Sequence, residues 1–236
     1  MGKYETLLFD VDDTLLDFNL AEKAALTRLF EQEKMTVTPA MLTRYKEINN
    51  GLWRAFERGE VTKSVLHNTR FSEFFKGYGM EVDGAHFEAE FQKFLQEAHD
   101  YVEGAYEVIA QLAESYDLYV VSNGKTATQN KRLMDADLAR YFKGIFISEQ
   151  TGYQKPMTQF FDYVFTRIDG LDKDKTLIIG DSLTADIKGG LQAGIHTCWF
   201  NIHNIENVTD IKPHYEIKKL HELHMLLENE KILASV

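Results

Sequence analysis

Short apolar runs recur along the chain and alternate with helical patterns. The first run, Thr6–Phe9, is followed at once by acidic residues, which predicts a short buried strand. Four later runs have the same character: Leu118–Val121, Gly144–Ile147, Thr176–Ile179 and His196–Phe200. Strands that alternate with helices predict an α/β fold of three layers, in which a parallel sheet carries helices on both faces.

Helical periodicity marks segments between these strands. Val108, Ile109 and Leu112 form one apolar stripe, and residues 160–168 carry a second one. A last helix near the end of the chain is indicated by regularly spaced leucines, which are Leu220, Leu223, Leu226 and Leu227.

The alternation fails between the first and second strands, where residues 18–99 show only helical periodicity. Thr38, Thr62 and Asp83 are candidate N-caps, and each precedes an amphipathic run. The spacing predicts four helices of about 15–20 residues. We therefore expect an all-helical domain, similar to a four-helix bundle, at 18–99, inserted into a core formed by 1–17 and 100–236.

Composition and charge narrow the class of protein. The 236 residues are 44% hydrophobic and 27% charged, which is typical of a folded globular chain. The single cysteine, Cys198, excludes an internal disulfide, and no apolar run is long enough for a signal peptide or a membrane span. We therefore expect a cytoplasmic protein. The net charge of −11 disfavours nucleic acid polymers and anionic membranes as partners.

Two acidic residues follow the first predicted strand. Asp10 and Asp12 alternate with Val11, so strand geometry places both carboxylates on the same side. Carboxylates this close repel each other unless a cation or a proton lies between them. An acidic turn that solvates the strand end would also explain the pattern. The carboxyl end of a parallel strand is, however, where such sheets bind ligands.

Polar residues also follow the later strands. Ser122 and Asn123 end the second strand, where a hydroxyl and turn N–H groups can cradle an oxyanion. Lys155 precedes a predicted helix, and Asp181 and Asp186 follow the fourth strand. Taken singly, these residues have ordinary explanations as an Asn-Gly turn, a surface lysine and an aspartate helix cap.

In combination, the motifs resemble those of the haloacid dehalogenase (HAD) superfamily of phosphohydrolases, over the whole chain. The matching positions are Asp10, Asp12, Thr14, Ser122, Lys155, Asp181 and Asp186. Finer features resemble one branch, the bacterial nucleotidases that favour pyrimidine 5′-monophosphates. These features are the run Phe9–Phe18, the turn Ser122-Asn123-Gly124, and the segment from Gly180 through Thr197-Cys198-Trp199. The resemblance implies a Rossmann-like core with the helical insert as a cap.

The resemblance also implies a mechanism. Asp10 attacks phosphorus and forms an aspartyl-phosphate, while Asp12 protonates the leaving alkoxide and then takes a proton from water. Lys155 offsets negative charge at the reacting centre. The Ser122 hydroxyl and the backbone N–H of Asn123 bind phosphoryl oxygens.

A magnesium ion is implied by the same resemblance. Its expected ligands are a carboxylate oxygen of Asp10, the backbone carbonyl of Asp12 and the carboxylate of Asp181. Thr14 and Asp186 are expected to support these ligands, with Asp186 holding a metal-bound water or the lysine.

The expected substrate is a small phosphorylated metabolite, foremost a pyrimidine nucleoside monophosphate, and the expected assembly is a monomer or homodimer. We expect most aromatic residues of the helical insert to form its core. A minority, together with Phe18, Arg54, Arg58, His67 or Asn68, would face the substrate.

Four alternatives stay open. A sugar-phosphate phosphatase, a phosphomutase or another small-metabolite phosphatase of the same superfamily would carry the same motifs. A haloacid dehalogenase expels halide, needs no acid at the position of Asp12, and is disfavoured by it. A phospho-accepting receiver domain would lack the long helical insert. A non-catalytic protein on this scaffold would be expected to lose Asp10, Asp12 or Lys155, and all are present.

Overall fold

The computed structural model describes residues 3–233, and within them a six-stranded sheet forms the centre of the larger of two units. Its strands are β1 (Thr6–Phe9), β2 (Asp117–Ser122), β3 (Gly144–Ile147), β4 (Thr176–Gly180), β5 (His196–Phe200) and β6 (Tyr215–Ile217). The order is β3-β2-β1-β4-β5-β6, and every pair of neighbours is parallel. Because β1 lies between β2 and β4, the carboxyl ends of these three strands adjoin.

The part of the chain that the structure describes contains ten α-helices. They are α1 (Phe18–Gln32), α2 (Pro39–Glu57), α3 (Lys63–Lys76), α4 (Gly84–Leu95), α5 (Ala105–Leu112), α6 (Thr126–Asp135), α7 (Ser148–Thr151), α8 (Thr158–Phe165), α9 (Lys188–Ala193) and α10 (Glu222–Leu233). The predicted α/β fold, with a parallel sheet and an inserted run of helices, is confirmed.

Alternation along β1 explains how the sheet is buried on both faces. Leu7 and Phe9 belong to a core with apolar residues of α5, α6 and α10, whereas Leu8 belongs to a second core with residues of α8. All three side chains are fully buried. A short strand covered on both sides needs a continuous apolar sequence, and this is the signal that made β1 predictable.

The helical unit comprises Asn19–Ala98. The hydroxyls of Thr38 and Thr62 accept hydrogen bonds from backbone N–H groups of α2 and α3, and Asp83 does the same for α4. The predicted caps are therefore confirmed. Most rings of this unit are buried, namely Phe30, Tyr45, Phe56, Phe71, Phe74, Phe75, Phe87 and Phe91.

Buried polar residues also occupy the interior of the helical unit. Arg70 binds Glu88 through Nε at 2.7 Å and donates to the Asn49 side chain at 3.1 Å. The ring of His67 lies 3.1 Å from Glu88 and is buried with it. Burial of His67 beside this carboxylate favours a structural role for it over the substrate contact that its sequence position suggested. No helix among residues 3–233 is long and apolar enough to cross a membrane.

β6 and α6 are among the elements of the larger unit that were not anticipated. β6 has three residues at the sheet edge, with only Ile217 buried, so its pattern is too short to be recognised. Helix α6 has a polar sequence, yet Gln129, Arg132 and Leu133 are buried. Their burial depends on groups far away in sequence, which hydropathy does not reveal.

Candidate active site

A buried lysine connects the ends of β1 and β2 with the turn that follows β4, at the carboxyl edge of the sheet. Lys155 Nζ lies 2.6 Å from Oδ1 of Asp10, 2.6 Å from Oδ1 of Asp186 and 2.6 Å from the backbone carbonyl of Val121. Lys155 is 1% exposed. A buried ammonium is costly unless its donors are satisfied, and here its three N–H groups have three oxygen acceptors. Lys155 is thus built into the site and is not a surface residue.

Charges in this cluster influence one another strongly. Burial raises the pKa of Asp10 to about 7, against the lowering effect of Lys155, and the charges of Asp186 and Asp12 add to the rise. Burial lowers the pKa of the Lys155 ammonium, but Asp10 and Asp186 outweigh that effect and hold the pKa above its ordinary value. Lys155 is therefore a fixed positive charge beside Asp10.

Three carboxylates form a cluster suited to a divalent cation. One oxygen each from Asp10, Asp181 and Asp186 lies within 4.8 Å of the others. Loss of water raises the pKa of Asp181 well above its usual value, and the charges of Asp10 and Asp186 raise it further. Acidic groups that repel one another in this way are stabilised by a cation among them, and oxygen ligands are those that Mg²⁺ prefers. The residues therefore fit the expected metal.

Asp186 has supporting contacts of its own. Its Oδ1 accepts from Lys155, and its Oδ2 accepts from the backbone N–H of Ser182 at 3.1 Å. A side chain at Gly180 would place its Cβ 2.3 Å from Asp186 Cγ, so the glycine makes room for this carboxylate. Ser182, not Asp181, caps the following turn, a single π-helical turn at Leu183–Ile187.

Thr14 connects the two acidic loops. Its hydroxyl lies 3.5 Å from Oδ2 of Asp10 and accepts from the backbone N–H of Asp181 at 3.2 Å. The carbonyl of Asp181 accepts from the indole of Trp199 at 2.8 Å. The backbone of Asp181 is held from both sides, which fixes its position relative to Asp10.

The turn after β2 carries the expected phosphate-binding residues. The Asn123 side chain donates to the backbone carbonyl of Lys155 at 2.9 Å and accepts from its N–H at 2.9 Å. Ser122 Oγ accepts from Gly124 N at 3.1 Å and from Gln129 Nε2 at 3.0 Å. An oxygen that accepts twice still has its own hydrogen to donate, which suits Ser122 to a phosphoryl oxygen.

Asp12 has partners that sequence reasoning missed. Its Oδ2 accepts from Gln129 Nε2 at 2.6 Å, and its Oδ1 accepts from Arg132 Nη1. Both partners lie on α6, more than a hundred positions away. The only sequence signal is their spacing of three residues, which places both on one face of a helix.

The chain matches a known family and several full-length relatives. A model of the family described as haloacid dehalogenase-like hydrolase matches residues 7–200. The HAD-hydrolase YfnB of Bacillus subtilis is 52% identical over 234 residues, covering 99% of this chain and 100% of that protein. Its crystal structure, described as bound to magnesium, has a TM-score of 0.92 and covers 95% of this chain and 99% of that one, at 53% identity.

Two further relatives carry a named activity. The pyrimidine 5′-nucleotidase PynA of Streptococcus pneumoniae is 43% identical over 221 residues, covering 93% of each chain. The pyrimidine 5′-nucleotidase YjjG of Escherichia coli is 30% identical over 225 residues, covering 95% of this chain and 98% of that protein.

Proposed function

Because the chain belongs to the haloacid dehalogenase-like hydrolase family, we propose that it is a magnesium-dependent phosphomonoesterase that uses Asp10 as nucleophile and prefers pyrimidine nucleoside 5′-monophosphates. The observation that carries the hydrolytic part of this proposal is the contact of Lys155 with Asp10 in the buried acidic cluster. It pairs a nucleophile with the positive charge that a dianionic substrate requires.

Asp10 supplies the first bond-forming step. One of its carboxylate oxygens attacks phosphorus, and the bond from phosphorus to the ester oxygen breaks as the aspartyl-phosphate forms. Lys155 holds the carboxylate in place and offsets the charge that develops on the phosphoryl oxygens. Ser122 donates its hydroxyl hydrogen to one of those oxygens.

Asp12 moves the proton in both half-reactions. Its protonated carboxyl gives the proton to the departing ester oxygen, which leaves as an alcohol. The carboxylate then takes a proton from the water that attacks phosphorus, and the bond from phosphorus to the Asp10 oxygen breaks, which releases the Asp10 carboxylate and inorganic phosphate. This second acid is what a phosphomonoesterase needs and a dehalogenase does not.

Magnesium, when bound, neutralises part of the charge on Asp10 and the phosphate so that the two anions can approach. Asp10 and Asp181 would hold it directly, with the backbone carbonyl of Asp12. Asp186 would support the site while it also fixes Lys155, because both of its oxygens already accept hydrogen bonds.

The nucleotide preference rests on the relatives. The catalytic residues contact only phosphate and metal, which all phosphate esters share, so they cannot select among esters. The aromatic content of the helical unit carries little weight, since most of its rings are buried in its own core. Two relatives at 43% and 30% identity, each covered over more than nine-tenths of its length, are pyrimidine 5′-nucleotidases.

A substrate panel tests this proposal. With saturating Mg²⁺, kcat/KM would be compared for UMP, dUMP and TMP against glucose 6-phosphate and phosphoglycolate. We expect the pyrimidine nucleotides to exceed the others by about tenfold or more, a difference of about 1.4 kcal/mol. If kcat/KM for a sugar phosphate exceeds that for the pyrimidine nucleotides by the same factor, the protein is a sugar-phosphate phosphatase with the same chemistry at Asp10.

A further inference from the structure

We propose that Gln129 and Arg132 are positioning residues that hold the carboxylate of Asp12 in its catalytic orientation and couple it to Ser122. This inference rests on the proposed function, because it takes Asp12 to be the group that moves the proton. Neither residue belongs to the motifs that identified the site. The contacts of their side chains with Asp12 are what assign them this role.

The arrangement begins with the placement of α6. The helix starts directly after the Ser122-Asn123-Gly124 turn, and Glu149 accepts the first helical N–H, that of Thr126, at 2.8 Å. Gln129 and Arg132 are one turn apart, so both side chains leave the same face. That face is directed at the end of β1, where Asp12 follows the strand.

Gly124 provides the space that this arrangement needs. A Cβ at position 124 would lie 2.6 Å from Cγ and from Nε2 of Gln129. The amide of Gln129 therefore passes directly over the glycine on its way to Asp12. A side chain at position 124 would displace that amide, so the space left by the glycine is needed for the contact between Gln129 and Asp12.

The charged side chain of Arg132 is buried, and its burial costs free energy unless the guanidinium is paired. Its partner is the carboxylate of Asp12. Its side chain is 1% exposed, whereas the Asp12 side chain is 30% exposed. A buried guanidinium must be paired to be tolerated, and one that is paired has little freedom to move. Arg132 Nη1 also donates to Oε1 of Gln129 at 3.1 Å. The two side chains therefore brace each other as well as Asp12.

Hydrogen-bond capacity leaves Asp12 able to react. Each carboxylate oxygen has two lone pairs that can accept hydrogen bonds. Each oxygen of Asp12 uses one of them, Oδ2 for Gln129 and Oδ1 for Arg132. The remaining lone pairs can carry the transferred proton or accept one from water. An aspartate without these partners would sample several rotamers, and misplacement by about 1 Å can cost about 10²-fold in rate.

Gln129 also links the acid to the phosphate-binding turn. Its Nε2 is 2.6 Å from Asp12 Oδ2 and 3.0 Å from Ser122 Oγ. One amide thus sets the distance between the group that moves the proton and a group expected to bind the phosphoryl oxygens. Replacing Gln129 removes direct contacts with both Asp12 and Ser122, whereas replacing Arg132 removes a direct contact with Asp12 and reaches Ser122 only through Gln129.

Leaving-group dependence distinguishes this role from a structural one. We would measure kcat/KM for Gln129→Met and Arg132→Met on p-nitrophenyl phosphate and on the best alkyl ester of the substrate panel. We expect Arg132→Met to lose about 10–100-fold on the alkyl ester and under about threefold on the nitrophenyl ester, whose leaving group needs little protonation. Gln129→Met should show the same bias together with a higher KM on both esters.

Lys131→Met is the matched control. Lys131 is the neighbouring cation on the same helix, but its Nζ pairs with Asp135 at 2.6 Å on the half-exposed side. It should leave both rates unchanged. Arg132→Lys retains a cation beside Asp12 and should recover part of the alkyl-ester rate. If Arg132→Met does not fold, Arg132→Lys and Gln129→Met together test the positioning role.

A double-mutant cycle with Asp12→Asn completes the test. If Arg132 acts through Asp12, Arg132→Met should add less than about twofold in the Asp12→Asn background. Full additivity, or equal losses of the α6 variants on both esters, would overturn the inference. If instead Asp12→Asn alone loses equally on both esters, the assignment of Asp12 in the proposed function fails, which is a separate result.

Discussion

Lys155 Nζ lies 2.6 Å from Oδ1 of Asp10, although the two residues are 145 positions apart in sequence. The parallel sheet explains the contact, because Asp10 follows β1 and Lys155 reaches the carbonyl of Val121 on the adjacent strand β2. Lys155 is also fixed through its backbone by Asn123. The distance between nucleophile and cation is therefore set by the sheet.

Asp10→Asn should lower kcat by more than about 10⁴-fold while the fold is kept. The amide has nearly the same shape as the carboxylate but is a poor nucleophile. Asp162→Asn, an exposed position on α8, makes the same chemical change away from the site and should leave kcat unchanged. Purified variants would be compared by phosphate release and circular dichroism, and retained turnover in Asp10→Asn would contradict the covalent mechanism.

Asp12→Asn should affect esters according to their leaving groups. General acid catalysis contributes about 10²–10⁴-fold, and this contribution is needed for a ribose alkoxide far more than for nitrophenolate. We expect kcat/KM to fall by about 10²-fold or more on UMP and by less than about tenfold on p-nitrophenyl phosphate. Equal losses on the two esters would show that Asp12 is not the acid.

Magnesium should stabilise the protein more at high pH than at low pH. The pKa of Asp10 is raised from 3.8 to about 7, so the metal-free folded state binds a proton that the unfolded chain releases, and its stability falls as pH rises through this window. Mg²⁺ must displace that proton at low pH but not above pH 7. We expect a larger rise in Tm on adding Mg²⁺ at about pH 8 than at about pH 5.5.

Phosphate release should depend on the same magnesium ion. EDTA should abolish phosphate release and excess Mg²⁺ should restore it, whereas Asp181→Asn should lose most of the Mg²⁺-induced rise in Tm. Full activity after exhaustive chelation, or an equal rise in Tm at both pH values, would contradict the proposed role of the cluster.

Cys198 should be unreactive in the folded protein. It is fully buried in β5, and burial raises the pKa of its thiol well above the ordinary range. A thiol-specific chromogenic reagent should label no cysteine in native protein and one after denaturation, since the chain has a single cysteine. Rapid labelling of native protein would show that this core opens readily.

Much of the fold could be predicted because its signals are local. β1 and β4 are continuous apolar runs, and the residues that follow them, Asp10 and Asp181, meet at one edge because the strands are parallel neighbours. The caps Thr38 and Thr62 were visible for the same reason, since a cap depends on the three residues after it.

The remainder depends on contacts that no local pattern encodes. Gln129 and Arg132 belong to a polar helix, and their role is set by Asp12, 117 and 120 positions earlier. His67 looked like a substrate contact, but its environment is decided by Glu88 on the next helix. Such residues become visible only when the chain is folded.

Trapping the phosphoryl-enzyme tests the central claim most directly. In Asp12→Asn, p-nitrophenyl phosphate should still phosphorylate the enzyme, while the missing base slows attack by water, so the intermediate should accumulate. Acid quenching followed by mass spectrometry should find one phosphoryl group on the peptide that contains Asp10, and none in Asp10→Asn. Continued turnover with no phosphoryl group on this peptide, or with the group on another residue, would contradict the account.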